Sequence, residues 1–122
     1  MNDAVQYVAR FETLCMADVE HVGGKNASLG EMIRNLTHKG VRVPGGFATT
    51  AEAFREYMRV DALDARIEAR LKTLNVEDTV ALTEAGREIR AWMMATPLPA
   101  GLETAIRHEH RLMTAEEGQD IL

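Results

Sequence analysis

The sequence predicts a mostly helical α+β domain, and three observations carry that prediction. Ala, Leu, Met, Glu and Arg are plentiful while aromatic residues make up only 5% of the chain, a balance that favours helix over sheet. From Leu29 onward most apolar residues recur at three- and four-residue spacing. Two short stretches, residues 6–10 and 47–50, carry β-favouring types beside turn residues.

At 122 residues the chain is long enough for one domain with a real core and too short for two comfortable ones. Its 46% hydrophobic and 27% charged residues are ordinary for a soluble globular protein. The net charge of −5 argues against non-specific nucleic-acid binding, so any anion site must be a local concentration of positive groups. Cys15 is the only cysteine, which rules out a disulfide within the chain and fits a reducing cytoplasm; its expected role is a small buried apolar residue. There is no secretory signal pattern and no stretch approaching 18 apolar residues, so a soluble, cytoplasmic protein without a membrane partner is expected.

Val5, Tyr7 and Val8 predict a first strand over 6–10. Leu29, Met32, Ile33 and Leu36 share one face of a helix over 26–39, with Gly40 at its C-cap. Gly30 inside that helix costs on the order of 1 kcal/mol relative to alanine, which implies close packing of another element. Pro44-Gly45-Gly46 turns the chain into a second strand, 47–50. Thr49 with Glu52 fits a capping box for a helix over 50–59, with Phe54, Tyr57 and Met58 inward. A helix over 61–73 uses Leu63, Ile67 and Leu71, with Leu74 beyond it. Asn75 and Asp78 offer a cap for a helix over 76–95 whose inner face is Val80, Leu82, Ile89, Trp92 and Met93. A last helix, 99–113, carries Leu102, Ile106 and Leu112, and Ile121-Leu122 look like the start of a strand. The methionines, among them Met16, Met32, Met58, Met93, Met94 and Met113, are expected as core filler.

The chemistry concentrates at Val22-Gly23-Gly24-Lys25-Asn26-Ala27-Ser28-Leu29-Gly30-Glu31-Met32. Gly23 and Gly24 let the backbone turn tightly and approach a ligand closely. The helix that follows leaves its first N–H groups unpaired and carries a partial positive charge at its start. A cation is disfavoured there, so Lys25 makes electrostatic sense beside an anion. The residues alone fit either a phosphate-facing turn or a glycine turn with a solvated lysine. A P-loop is excluded: Gly24-Lys25 is followed by Asn26, and the position five before Gly24 is Val19. His21 adjoins the turn. His108 and His110, two apart on a helix, point to different faces and make a poor metal pair. Arg87, Arg90 and Arg107 are expected on solvated faces.

Three segments together resemble a known family: residues 22–32, the run Gly40-Val41-Arg42-Val43-Pro44-Gly45-Gly46-Phe47-Ala48-Thr49-Thr50-Ala51, and Ala85-Gly86-Arg87-Glu88-Ile89-Arg90-Ala91-Trp92 with Thr96-Pro97. The resemblance is to the pyruvate-binding, ATP-dependent dikinases, and the wording favours the pyruvate, water dikinase branch, the phosphoenolpyruvate synthases, over the pyruvate, phosphate dikinases. It implies an ATP-grasp nucleotide-binding domain, of which residues 1–122 are an N-terminal lobe segment that stops before the domain is complete. It further implies ATP as the phosphoryl donor, Mg2+ held by residues outside this chain, a phosphohistidine also outside it, and pyruvate bound by a C-terminal domain of the same polypeptide. By resemblance Lys25 contacts the ATP phosphates and Gly23 and Gly24 place it; no catalytic residue and no metal ligand is assigned here. The isolated chain is expected to be inactive, with an apolar face left uncovered. The alternatives are the same segment of another phosphotransferase of the family, such as pyruvate, phosphate dikinase or an antibiotic phosphotransferase, and a free-standing helical interaction module.

Overall fold

The computed structural model describes residues 5–117. In chain order these form β1 (Val8–Arg10), α1 (Val19–Val22), α2 (Gly24–His38), β2 (Phe47–Thr49), α3 (Ala51–Arg59), α4 (Leu63–Lys72), α5 (Thr79–Ala95) and α6 (Ala100–Glu117). Single 3-10 turns occupy Phe11–Thr13, Met16–Asp18 and Val60–Ala62. The chain forms two compact units: one runs to Phe54 and resumes at Ala100, the other is Arg55–Pro99. The α+β class is as expected, with helix dominant and one two-stranded sheet.

In the first unit β1 and β2 pair antiparallel, with Val8 opposite Thr49, Ala9 opposite Ala48 and Arg10 opposite Phe47. Phe11 N–H donates to Gly46 O and Thr50 N–H to Tyr7 O, both at 3.0 Å, extending the pairing beyond each end. Ala9 and Ala48 turn the same face inward and join Leu14, Val22 and Ala27, with Phe11 packed alongside. These are small residues, so the elements approach closely. A Cβ on Gly30 would lie 2.7 Å from Leu14 O and 2.8 Å from Phe11 O, the contact its helix-interior position implied. Gly40, at φ 80°, closes α2, with Val41 N–H donating to Leu36 O and Gly40 N–H to Thr37 O. That is the six-to-one and five-to-two pattern of a glycine-terminated helix.

Helix α6 packs along β1. Leu102 and Met113 are buried, Gly101 lies against the Tyr7 ring, and Arg10 bonds Glu116 through Nη1 (3.0 Å) and Nη2 (2.7 Å) and Glu109 through Nε. In the second unit Leu63 and Ala85 are buried where α4 meets α5. There the Arg66 guanidinium sits 4.9 Å from the Trp92 ring centroid, and Arg70 Nη2 lies 2.9 Å from Glu88 Oε2.

Several expectations are corrected. The cap of α3 is Thr50, one residue later than expected: its hydroxyl accepts from Ala53 N–H at 3.1 Å and donates to Gln6 O. Helix α5 starts at Thr79 because Asp78 caps it, accepting from Ala81 N–H, while Asn75 instead folds an Asx turn onto Glu77 N–H. Phe54, Leu71, Val80, Leu82 and Leu112 are exposed, as are Met16, Met32 and Met94, so these methionines fill no core. Small residues at the helix contacts leave room for few large ones. Cys15 is only half-buried. Thr114 to Glu117 continue α6, and Ile121 and Leu122 lie outside the described residues. Among the described residues no helix is long and apolar enough to cross a membrane.

Candidate functional site at the start of helix α2

The site is built on a break between two helices. Gly23 N–H closes α1 by donating to Val19 O at 2.7 Å. Gly23 itself sits at φ 89°, ψ 162°, a region that residues with a Cβ rarely enter, and this redirects the chain into α2. Val22 before the break and Ala27 after it are buried in the core, whereas Gly23, Gly24 and Lys25 are exposed. The turn is therefore an outward loop pinned at both ends.

The first backbone donor satisfied in α2 is Ala27 N–H, which reaches Gly23 O at 3.0 Å. The N–H groups of Gly24, Lys25 and Asn26 have no acceptor among the described residues, and no side chain caps the helix. A Cβ built on either Gly23 or Gly24 meets nothing within 4 Å. Gly23 is explained by its backbone, but neither backbone nor packing requires glycine at position 24. Open space over bare N–H groups is what close approach of an anion requires.

Lys25, the second residue of α2, is exposed and has no ion-pair partner among the described residues. The three residues expected at this turn, Gly23, Gly24 and Lys25, are all exposed. His21 is held from the side, its Nε2 3.0 Å from Gln6 Oε1. Sequence reasoning passed over Asn26, whose Nδ2 donates to Val22 O at 2.8 Å across the break. Its only signal was an amide residue directly after Gly-Gly-Lys.

The arginines singled out in the sequence lie on exposed helix surfaces. Arg87 pairs with Glu84 and Arg107 with Glu103 at 3.1 Å, each on its own helix surface, and Arg90 is exposed. Among the described residues no group of three or more His, Cys, Asp and Glu side chains is placed to hold a metal ion.

The turn thus combines a glycine break, a helix start without a side-chain cap and an exposed lysine. Residues 19–122 match the family described as pyruvate phosphate dikinase, AMP/ATP-binding domain, and the chain belongs to that family. It is 55% identical over 115 residues to a phosphoenolpyruvate synthase of Neisseria meningitidis serogroup B, covering 94% of this chain and 14% of that protein. It is 53% identical over 103 residues to the Pseudomonas aeruginosa phosphoenolpyruvate synthase (84% of this chain, 13% of that protein). With the Escherichia coli K12 phosphoenolpyruvate synthase it shares 43% identity over 116 residues (95% and 15%). The chain thus spans about one seventh of the length of these relatives.

Proposed function

We propose that this chain is the N-terminal segment of the ATP-grasp-type nucleotide-binding domain of a phosphoenolpyruvate synthase, and that the start of α2 receives the phosphates of ATP. The observation that carries the reading is the run of three N–H groups, Gly24 to Asn26, unpaired among the described residues, beside an exposed Lys25 in a chain of the AMP/ATP-binding family. Backbone donors fix the phosphate oxygens, the Lys25 ammonium offsets their charge, and Gly24 leaves room for them. In the whole protein, ATP would give its β-phosphoryl group to a histidine outside this chain, with AMP and phosphate released. That phosphohistidine would then phosphorylate pyruvate held in another domain of the same polypeptide. The proposal places the ligands of Mg2+ elsewhere in the polypeptide, as the resemblance implies. Pyruvate as the acceptor, gluconeogenesis as the setting and the cytoplasm as the location rest on the sequence reading.

Exposed Met16, Val19 and Met32 support the segment reading, since they lie on three elements that pack on one another and leave apolar surface for a further part of the domain. The test is titration of the full-length protein with ATP, wild type against Lys25→Ala. Loss of one charge-assisted contact should weaken binding by about tenfold or more. Equal affinity in the two proteins would overturn the Lys25 assignment. The segment by itself is expected to show no dikinase activity, and turnover by residues 1–122 alone would refute that.

A further inference from the structure

We infer that Asn26 is a positioning residue for nucleotide binding, and that its side chain keeps the start of α2 open. The inference rests on the proposed role of this turn in holding ATP phosphates.

In an uninterrupted helix the carbonyl of Val22 would accept the backbone N–H four residues on, that of Asn26. The chain breaks at Gly23, and that backbone bond is not made. Val22 is buried, so a carbonyl left there without a donor would be costly. The Asn26 side chain supplies the donor instead, with Nδ2 at 2.8 Å from Val22 O. One amide group therefore does two things. It satisfies the last carbonyl of α1, and it leaves the Asn26 backbone N–H free to join those of Gly24 and Lys25.

The bond also spans the two glycines. Gly23 and Gly24 have the widest conformational freedom in the turn, and no packing atom restrains either of them within 4 Å of a built Cβ. Val22 and Asn26 flank the pair, so their bond closes a short ring around it and fixes the direction in which Lys25 leaves the helix. Without the donor, Val22 O competes for the Asn26 N–H, the break tends to heal into helix, and one phosphate donor is lost.

Asn26→Ala removes the donor, and Asn26→Asp keeps the shape without the donor in a form well suited to a helix start. In the full-length protein, both variants should raise KM for ATP by about tenfold while KM for pyruvate stays within about twofold. Both variants leave Val22 O without its donor and should melt a few degrees lower. The rise in KM for ATP alone, not the melting temperature, therefore separates positioning from a structural role, and the aspartate variant, favoured at a helix start, keeps the test usable if the alanine variant fails to fold. An ATP KM within about twofold of wild type in the aspartate variant would overturn the inference, as would parallel loss toward both substrates. Lys25→Ala serves as the reference. If Lys25→Ala weakens ATP binding and Asn26→Asp does not, only the Asn26 role fails; if neither does, the phosphate reading of the turn fails first.

Discussion

Gly30 of α2 lies directly against Leu14: a Cβ on Gly30 would sit 2.6 Å from the Leu14 Cβ. The backbone carbonyls of Leu14 and Phe11 are nearly as close, so no side-chain rotation relieves the clash. Gly30→Ala should gain about 1 kcal/mol of helix propensity and lose about 1–3 kcal/mol or more to overpacking, a net destabilisation. Urea denaturation of the wild type and variant measures it. A variant as stable as the wild type would show that α2 can slide off the Phe11–Thr13 turn without penalty.

Gly24 should behave in the opposite way. It lies in open space with an ordinary helical backbone, so Gly24→Ala should leave stability unchanged or raise it by up to about 1 kcal/mol. Its methyl group would project where a phosphate must approach, and ATP affinity should fall. Gly23→Ala, strained at φ 89°, should lose both stability and affinity. Paired thermal melts and ATP titrations distinguish the two glycines; unchanged affinity in Gly24→Ala would remove position 24 from the site.

Arg10 gives the fold an acid-sensitive clamp. Its bonds, first to Glu116 and then to Glu109, raise the guanidinium further above its ordinary value, and the Arg10 hydrogen bond holds the Glu116 carboxyl below its usual 4.5. A carboxyl depressed in the folded state contributes fully above its unfolded value, and that contribution is lost as pH falls through the folded one. The raised guanidinium contributes at every pH below its unfolded value, far above neutrality, so the acid limb belongs to the carboxylate. The wild-type melting temperature should drop more steeply below pH 4.5 than that of Arg10→Met, which should be lower at neutral pH and flatter in acid. Parallel curves would assign the acid sensitivity to other groups.

Between α3 and α4 the chain passes through two left-handed residues, Asp61 at φ 51° and Ala62 at φ 55°. Alanine carries a steric penalty of roughly 1–2 kcal/mol there, while aspartate tolerates the region better. Ala62→Gly should therefore stabilise the protein by about 0.5–1 kcal/mol, after the larger unfolded-state entropy of glycine is counted. Asp61→Gly should gain less. Chemical denaturation midpoints give the comparison, and destabilisation by Ala62→Gly would contradict the strain.

What the sequence determined by itself was local. Periodicity found the helices, the glycine and proline turns separated them, and Gly30 announced a close contact before any partner for it was visible. The Gly-Gly-Lys turn was legible because two glycines and a lysine ahead of an apolar-periodic stretch are a local arrangement, and the matching segments downstream tied the chain to a family. The tertiary structure decided what depends on distant neighbours. Phe54, Val80 and Met94 have the residue types and, for the first two, the spacing of core positions, yet they are exposed because only a partner surface determines which face of a helix is buried. The pairing of β1 with β2, the Arg10 clamp onto α6 and the Thr50 bond to Gln6 join residues far apart in sequence, where pattern carries no signal. The Asn26 bond is short in sequence but appears only once Gly23 has broken the helix. That geometry turned a glycine-lysine motif into three bare N–H groups with a side chain holding them open.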